Sequence, residues 1–381
     1  MTNISFLSEM PPYFIFMLTI LTLVIYRKYV VNKWLMDLII ILFFTIFAGI
    51  KVPFTADLFH YIELYNRSEI NILFIEPIFI LIKNIGNFFH FNYHFLFIVY
   101  QMLTISFILY GIKLFFPKSN FLFGFSIFLY ISIPFLFLSS YGVEIRQLLA
   151  ISIMFVALYY LANNSYKRFY ILSLLAFLTH YTSIVIAIIS LFAYIINKKI
   201  ENKKQVILSL LIINIIVFIL SLFFPNVFDL LIKNSLNLMV DTKYLGYFLG
   251  ISPVPILKLL IYNTMSIVIL FLLYKKISLF NNSIYYAICF FSLGVILFDI
   301  LSNHNSSTRI VYYYFIFQII FIPYILKIFK DKQIVFSLII LFYLSQYIYG
   351  LLYISPFGDR VFLPYKGFYV DLFDIKVKET Q

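Results

Sequence analysis

Two arginines stand at the mouths of runs that otherwise read as lipid-embedded helix. Arg146 follows Ser139-Ser140-Tyr141-Gly142, and Arg309 follows Asn303-His304-Asn305-Ser306-Ser307-Thr308; each opens an apolar stretch. A cation in the first turn of a helix opposes the macrodipole, at a cost of roughly 0.3–1 kcal/mol. A bound anion at those helix ends would compensate both placements. A guanidinium grips a phosphate bidentately and keeps its charge when desolvated. The plainer reading of each arginine is an interfacial side chain snorkelling to headgroups. Against it, Arg146 has Glu144 and Gln147 as close sequence neighbours.

Other ionisable residues sit in similarly apolar settings, where they are costly and point to function. His180 lies in Phe177-Leu178-Thr179-His180-Tyr181-Thr182-Ser183. Its two readings are a packing histidine that ends a broken helix, and a general base or hydroxyl ligand whose pKa suits neutral pH. Glu76 borders Ile75, Pro77, Ile78 and Phe79, where desolvation would raise a carboxyl pKa toward acid–base use. Asp57 opens Asp57-Leu58-Phe59-His60-Tyr61, in a polar loop, and reads equally as a solvated carboxylate. Asp299 reads first as a structural partner for Arg309. The five histidines are too scattered to predict a metal site. Neither a Gly-rich phosphate loop nor a G-x-S-x-G elbow occurs, so no cofactor is expected.

The elements that must hold these residues are membrane helices. The chain has 381 residues, 63% hydrophobic and only 12% charged, with a mean hydropathy of +1.00. That excludes a soluble domain and predicts an all-α, polytopic membrane protein with about 10–12 transmembrane helices in one domain over 1–381. Apolar runs fall near 11–26, 34–52, 94–112, 120–138, 145–162, 205–224, 254–274, 284–302, 310–326 and 333–354. Residues 72–90 read as an amphipathic or re-entrant segment, and 169–196 as a helical hairpin broken near His180. The single cysteine, Cys289, rules out a disulfide framework. The net charge of +12 is a lysine excess in short loops, so no nucleic acid is expected as a partner. The first apolar run reads as a retained helix, since no cleavage site follows it.

The basic loops set sidedness. Arg27 and Lys28, Lys113 and Lys118, Lys167 and Arg168, Lys198 to Lys204, Lys275 and Lys276, and Lys327 to Lys332 all become cytoplasmic on one condition. Segment 72–90 must not cross, and 169–196 must enter and return. The competing reading makes 72–90 a crossing and 169–196 one helix, which strands Lys113 and Lys118 outside. Under the first reading Asp57, Glu76, Arg146, His180, Arg309, the external stretches 53–93 and 225–253, and the polar tail 355–381 share the outer face.

Several motifs in order resemble one family. They are Asp57 to Tyr61, Glu76-Pro77-Ile78-Phe79, Ile145-Arg146-Gln147-Leu148-Leu149-Ala150, the turn Phe177 to Ser183, and Ser307-Thr308-Arg309. Over roughly residues 20–330 the chain resembles the EpsG-like branch of the Wzy-type polysaccharide polymerases. It departs at Thr55-Ala56-Asp57-Leu58, where the family often places a glycine before the acid and a tyrosine after it, which makes Tyr61 the closer match. The resemblance implies a nucleotide-independent membrane glycosyltransferase of the bacterial cytoplasmic membrane, with its active site facing the periplasm or cell exterior. Its substrate would be an oligosaccharide repeat unit on undecaprenyl pyrophosphate, and its product an O-antigen, capsule or exopolysaccharide. Membrane lipids are expected partners, with a polysaccharide chain-length regulator as a further one. On this reading Arg146 and Arg309 steady the departing pyrophosphate, His180 or Glu76 is the base, and Asp57, Tyr61, Glu144, Gln147 and Tyr244 contact substrate. Three rivals share the build: a lipid-linked oligosaccharide flippase, an O-antigen ligase and an O-acyltransferase.

Overall fold

The computed structural model describes residues 10–49, 51, 55–67, 75–200, 202–224, 228, 253–303, 307–326, 329 and 332–352. Among these the chain is all-helical and carries the apolar helices of a multi-pass membrane protein. In order, α1 is Pro11–Tyr26, α2 Lys33–Gly49, α3 Ala56–Asn66, α4 Pro77–Phe88, α5 His94–Phe115 and α6 Asn120–Ser132. There follow α7 (Phe137–Gly142), α8 (Ile145–Ala162), α9 (Tyr166–Thr179), α10 (Ser183–Lys199) and α11 (Lys203–Phe223). The remainder are α12 (Ile256–Lys275), α13 (Asn282–Ile300), a 3-10 turn at Ser307–Val311, α14 (Tyr312–Phe315), α15 (Gln318–Ile325) and α16 (Lys332–Leu351).

Six helices (α5, α8, α11, α12, α13 and α16) are long and apolar enough to cross a bilayer singly. The bent pair Thr308–Phe315 and Gln318–Ile325, at 43°, makes a seventh if it counts as one span. The other expected runs are covered by shorter helices, and one is cut. Pro134 disfavours helical backbone in the residue before it; Ile133 is extended at φ −84° and ψ 110°, and the run 120–138 divides into α6 and α7. The stretch 53–93 holds two helices. Thr55 caps α3 by accepting a 3.2 Å bond from Leu58 N, and Pro77 starts α4 with a missing N–H that costs nothing there.

The chain divides into two compact units. The first comprises Met1–Val156, Leu172–Tyr181 and Ile325–Gln381; the second comprises Ala157–Ile171 and Thr182–Tyr324. In the first, α2 packs along α5. A Cβ on Gly49 would lie 2.6 Å from Ile98 Cγ1 and 3.0 Å from its Cα, so only glycine lets the backbones approach this closely. The opposite end of this pair is locked by charge. Asp37 accepts from Arg27 Nε at 2.7 Å and also pairs with Lys113, while Arg27 Nη1 donates to Asn120 at 2.8 Å. The loop after α1 and the loop after α5 therefore lie at one end. That is the arrangement required if 72–90 does not cross, and α4 agrees. Its 12 residues span about 18 Å against a hydrocarbon core of about 30 Å.

In the second unit the start of α9 meets the end of α10. Lys198 Nζ donates to Tyr166 Oη at 2.9 Å and to Asn164 Oδ1 at 3.1 Å. The two helices thus run back along each other, and 169–196 is a hairpin broken at residues 180–182. Asn282 Nδ2 donates to Ala162 O at 2.8 Å, and Lys203 Nζ donates to Asn282 Oδ1 at 3.1 Å, which gathers three more basic loops at one end. Among α11, α12 and α13, Ser266 Oγ donates to Asn214 Oδ1 (3.1 Å), and it lies 3.2 Å from Ser292 Oγ. Such interhelical bonds contribute about 0.6 kcal/mol each on average in lipid. The bend after α14 is held by ring packing, with Tyr262 stacked on Phe315 at 4.3 Å and Tyr314 bonded to Ser190 at 2.9 Å.

Two outcomes check this fold. Cysteines introduced one at a time at Lys28 and Lys118 should both resist an impermeant thiol reagent in intact cells and both react after permeabilisation. External labelling at 118 alone would overturn the non-crossing α4. Asp37→Ala strands two cations and should lower unfolding stability in detergent by about 3–5 kcal/mol, read by thermal unfolding of the purified protein.

Candidate active site

Three of the residues singled out above meet on one carboxylate in the first unit. Glu76 stands just before α4 and is 5% exposed. Pro77 holds it extended, at φ −64° and ψ 139°, and its side chain makes no helix cap of its own. Freed from capping, the carboxylate reaches two partners. Oε1 lies 2.7 Å from His180 Nδ1, and Oε2 accepts from Arg146 Nη1.

Each partner is delivered by a chain break. His180 follows α9, and its N–H closes that helix on Ala176 O at 2.8 Å. The next residue, Tyr181, donates its hydroxyl to Ile75 O at 3.3 Å, tying the break to the residue before Glu76. Arg146 is the second residue of α8, presented by the elbow that separates α7 from α8. Two donors grip that elbow at successive carbonyls. Lys51 Nζ bonds to Tyr141 O, and Thr55 Oγ1 donates to Gly142 O at 2.6 Å. Glu76 is itself steadied through α4: Lys83 Nζ donates to Leu64 O at 3.1 Å and to Arg67 O, capping the end of α3.

The guanidinium of Arg146 lies 4.9 Å from the Tyr61 ring centroid and 5.6 Å from that of Phe79. Flanking rings and a carboxylate make a partly dry setting in which the cation remains charged. Its Nε is buried with no hydrogen-bond partner, and so is the hydroxyl of Tyr100 on α5, which feels the charges of Arg146 and Glu76. An oxygen-rich ligand could accept from both donors. Burial pushes the Glu76 carboxyl up, but the His180 hydrogen bond and the Arg146 charge outweigh it and hold the group below its ordinary value of 4.5. Burial raises the Tyr61 phenol against the opposing charge of Arg146. An ionised Glu76 can only accept, so the bond is donated by His180 Nδ1–H, and Nε2 is the ring nitrogen outside it.

The remaining expected residues fall as follows. Glu144 and Gln147 are buried on either side of Arg146. Asp57 is exposed in the first turn of α3, where its charge suits the helix dipole. Arg309 belongs to the second unit, exposed in the 3-10 turn Ser307–Val311 rather than in the first turn of a long helix. Asp299, fully buried in that unit, accepts from Asn263 Nδ2 at 2.8 Å. Tyr244, most of 225–253, and the tail 355–381 lie outside the described residues. Sequence reasoning did not single out Tyr100, whose hydroxyl is hidden in an apolar run, or Lys51, a cation at the end of one. Among the described residues, no three His, Cys, Asp or Glu side chains come together as a metal site.

Glu76→Gln should destabilise the protein at neutral pH by about 3 kcal/mol or more, because it leaves Arg146 without its counter-charge. The ionised carboxylate's contribution is complete above pH 4.5 and is lost as pH falls through the lower folded value. The gap in unfolding midpoint between wild type and variant should therefore narrow in acid. A gap that stays constant down to strongly acid pH would disprove the shared ion pair.

Residues 34–366, nearly the whole chain, match the EpsG family, whose members are Wzy-like polymerases. No curated protein and no solved structure shows significant similarity to the chain. The motif order around Arg146 and His180 and the length of the match give the same answer: this chain belongs to the EpsG family.

Proposed function

We propose that the protein polymerises oligosaccharide repeat units carried on a lipid pyrophosphate, at the membrane face away from its basic loops. The observation that carries the reading is the single carboxylate that holds an arginine and a histidine together in a member of a polymerase family. Nothing in that arrangement calls for a nucleotide sugar, because the donor already carries its leaving group.

The chemistry assigns each residue one task. An acceptor sugar hydroxyl loses its proton to His180 Nε2 as its oxygen bonds to the anomeric carbon of the donor. The bond from that carbon to the pyrophosphate oxygen breaks, and the electron pair departs with the lipid pyrophosphate. Glu76 fixes the imidazole's tautomer and orientation and stabilises the imidazolium that forms, as the carboxylate does in the serine hydrolase triad. Of the two candidate bases, Glu76 is the one with both oxygens engaged, which favours an orienting role for it and leaves the base to His180. Arg146, with Nε still available, and the Tyr100 hydroxyl stabilise charge building on the pyrophosphate oxygens, where a water-poor site makes such donors most effective. Tyr61 covers the guanidinium and excludes water. Arg309 and Tyr244 are kept as substrate contacts from the family resemblance alone.

The test is complementation of a deletion strain, with surface glycan resolved on a gel and protein level checked by blot. His180→Ala should lower polymer formation by roughly 10²–10⁴-fold, the usual contribution of a general base, and Arg146→Ala should collapse the ladder to single units. Full-length polymer from Arg146→Ala at normal protein level would sink the mechanism. Single units gathering on the inner leaflet after deletion would indicate a flippase instead. Tyr100→Phe should leave stability unchanged or raised, since it removes a buried hydroxyl without a partner, yet shorten the polymer.

A further inference from the structure

A second polar cluster lies in the other unit, at the basic end of the α9–α10 hairpin, and the chemistry above does not use it. Asn164 is its hub. It follows α8 with φ at +58°, a left-handed conformation that asparagine tolerates better than most residues. That turn aims its side-chain oxygen at α10, where Oδ1 accepts from Tyr194 Oη at 2.6 Å and from Lys198 Nζ at 3.1 Å. Lys198 also donates to Tyr166 Oη at 2.9 Å, with the Tyr166 and Tyr194 ring centroids 5.6 and 6.0 Å away. Every one of these partners is neutral. The ammonium is exposed but held against the hairpin by these bonds, and no carboxylate among the described residues forms an ion pair with it.

Beside the cluster is a cavity of about 500 Å³. Tyr166, Tyr170 and Tyr194 wall it with rings, Leu191 and Ile195 give it an aliphatic side, and Lys198 and Lys199 stand on its rim. That distribution is amphiphilic: an aliphatic side, aromatic rings beside it, and two cations at the edge. Tyrosines favour the membrane–water interface, and basic pockets between helices on the lysine-rich side of a membrane recognise lipid phosphates. Unrestrained surface lysines would give only diffuse attraction; an exposed ammonium fixed by two hydrogen bonds beside a cavity gives a position.

We infer that this cavity binds an anionic phospholipid, with its phosphate on Lys198 and Lys199 and its glycerol and upper acyl chain along Leu191 and Ile195. The phosphate supplies the negative charge that the neutral acceptors of Lys198 do not, and the lipid splints the start of α9 against the end of α10. This inference is independent of the polymerase reading, because it concerns the opposite end of the hairpin and needs no substrate.

The experiment uses full-length protein in nanodiscs of phosphatidylcholine, with or without phosphatidylglycerol, read by thermal unfolding and by native mass spectrometry of retained lipid. Phosphatidylglycerol should raise the wild-type midpoint and be retained. The pair Lys198→Gln with Lys199→Gln should weaken retention roughly tenfold or more and remove most of the shift. Leu191→Trp, which fills the cavity and leaves charge untouched, should do the same, and it covers the case in which the lysine variant folds poorly. A control pair, Lys275→Gln with Lys276→Gln, removes equal charge elsewhere and should change little. Equal losses from that control would mean diffuse surface attraction and overturn the site. Stabilisation by inorganic phosphate matching that by the lipid would also overturn it, in favour of a free-anion site.

Discussion

The constraint that governs this structure is the cost of leaving a charge alone in a medium that barely solvates it. An isolated ion in an apolar surround costs many kcal/mol, so it must be paired or neutralised. Twice in the first unit one carboxylate answers for two basic groups. Asp37 does so for Arg27 and Lys113, and Glu76 for Arg146 and His180. The two clusters have different surroundings and so different uses. Around Asp37 the outward-facing contacts are an asparagine and a phenyl ring, and the result is a rivet joining α1, α2, α5 and α6. Around Glu76 two donors, Arg146 Nε and the Tyr100 hydroxyl, are left over, so this cluster is open to a further acceptor.

The elbows that deliver those groups explain why the helices near the site are short. A continuous helix satisfies all its interior carbonyls and offers none to neighbours. Ending α7 at Gly142 exposes Tyr141 O and Gly142 O, which Lys51 and Thr55 then take up. Ending α9 at Thr179 lets His180 turn toward Glu76. Irregular backbone at this depth is tolerated where protein covers it, so the same packing that stabilises the breaks also shields the site.

Much of this was readable in the amino-acid order, and the parts that were not share a cause. The ends of α1 and α8 fell at the residues expected from hydropathy, because an apolar run bounded by polar residues has only one way to sit in a bilayer. The loop charges call for a returning hairpin and a non-crossing 72–90, and the Lys198–Tyr166 and Asp37–Lys113 contacts and the 12 residues of α4 are compatible with both. Glu76, Arg146 and His180 were each conspicuous as expensive residues. Their meeting was not foreseeable: 70 and 104 residues separate Glu76 from its partners, and no local pattern encodes so distant a contact. For the same reason the sequence pointed to a bound anion for Arg146 but gave no sign of the internal one, Glu76, that already pairs with it. Arg309 shows another limit. Its run was mostly apolar, and hydropathy gives no sign of the division into a 3-10 turn and two bent helices.

The shortness of α4 has a consequence for how the chain is built. Arg27 is synthesised 10 residues before Asp37, so that pair can enter the bilayer already matched, as one hairpin. Glu76 has no such companion when it emerges, and α8 and the close of α9 are still to come. A crossing helix would have to carry the bare carboxylate into or through the lipid and wait there. A helix of 12 residues, too short to cross alone, can stay at the surface and keep it in water until Arg146 and His180 arrive. Assembly of the site is thereby placed late in biogenesis, and the last partner to arrive, His180, is the one assigned the proton.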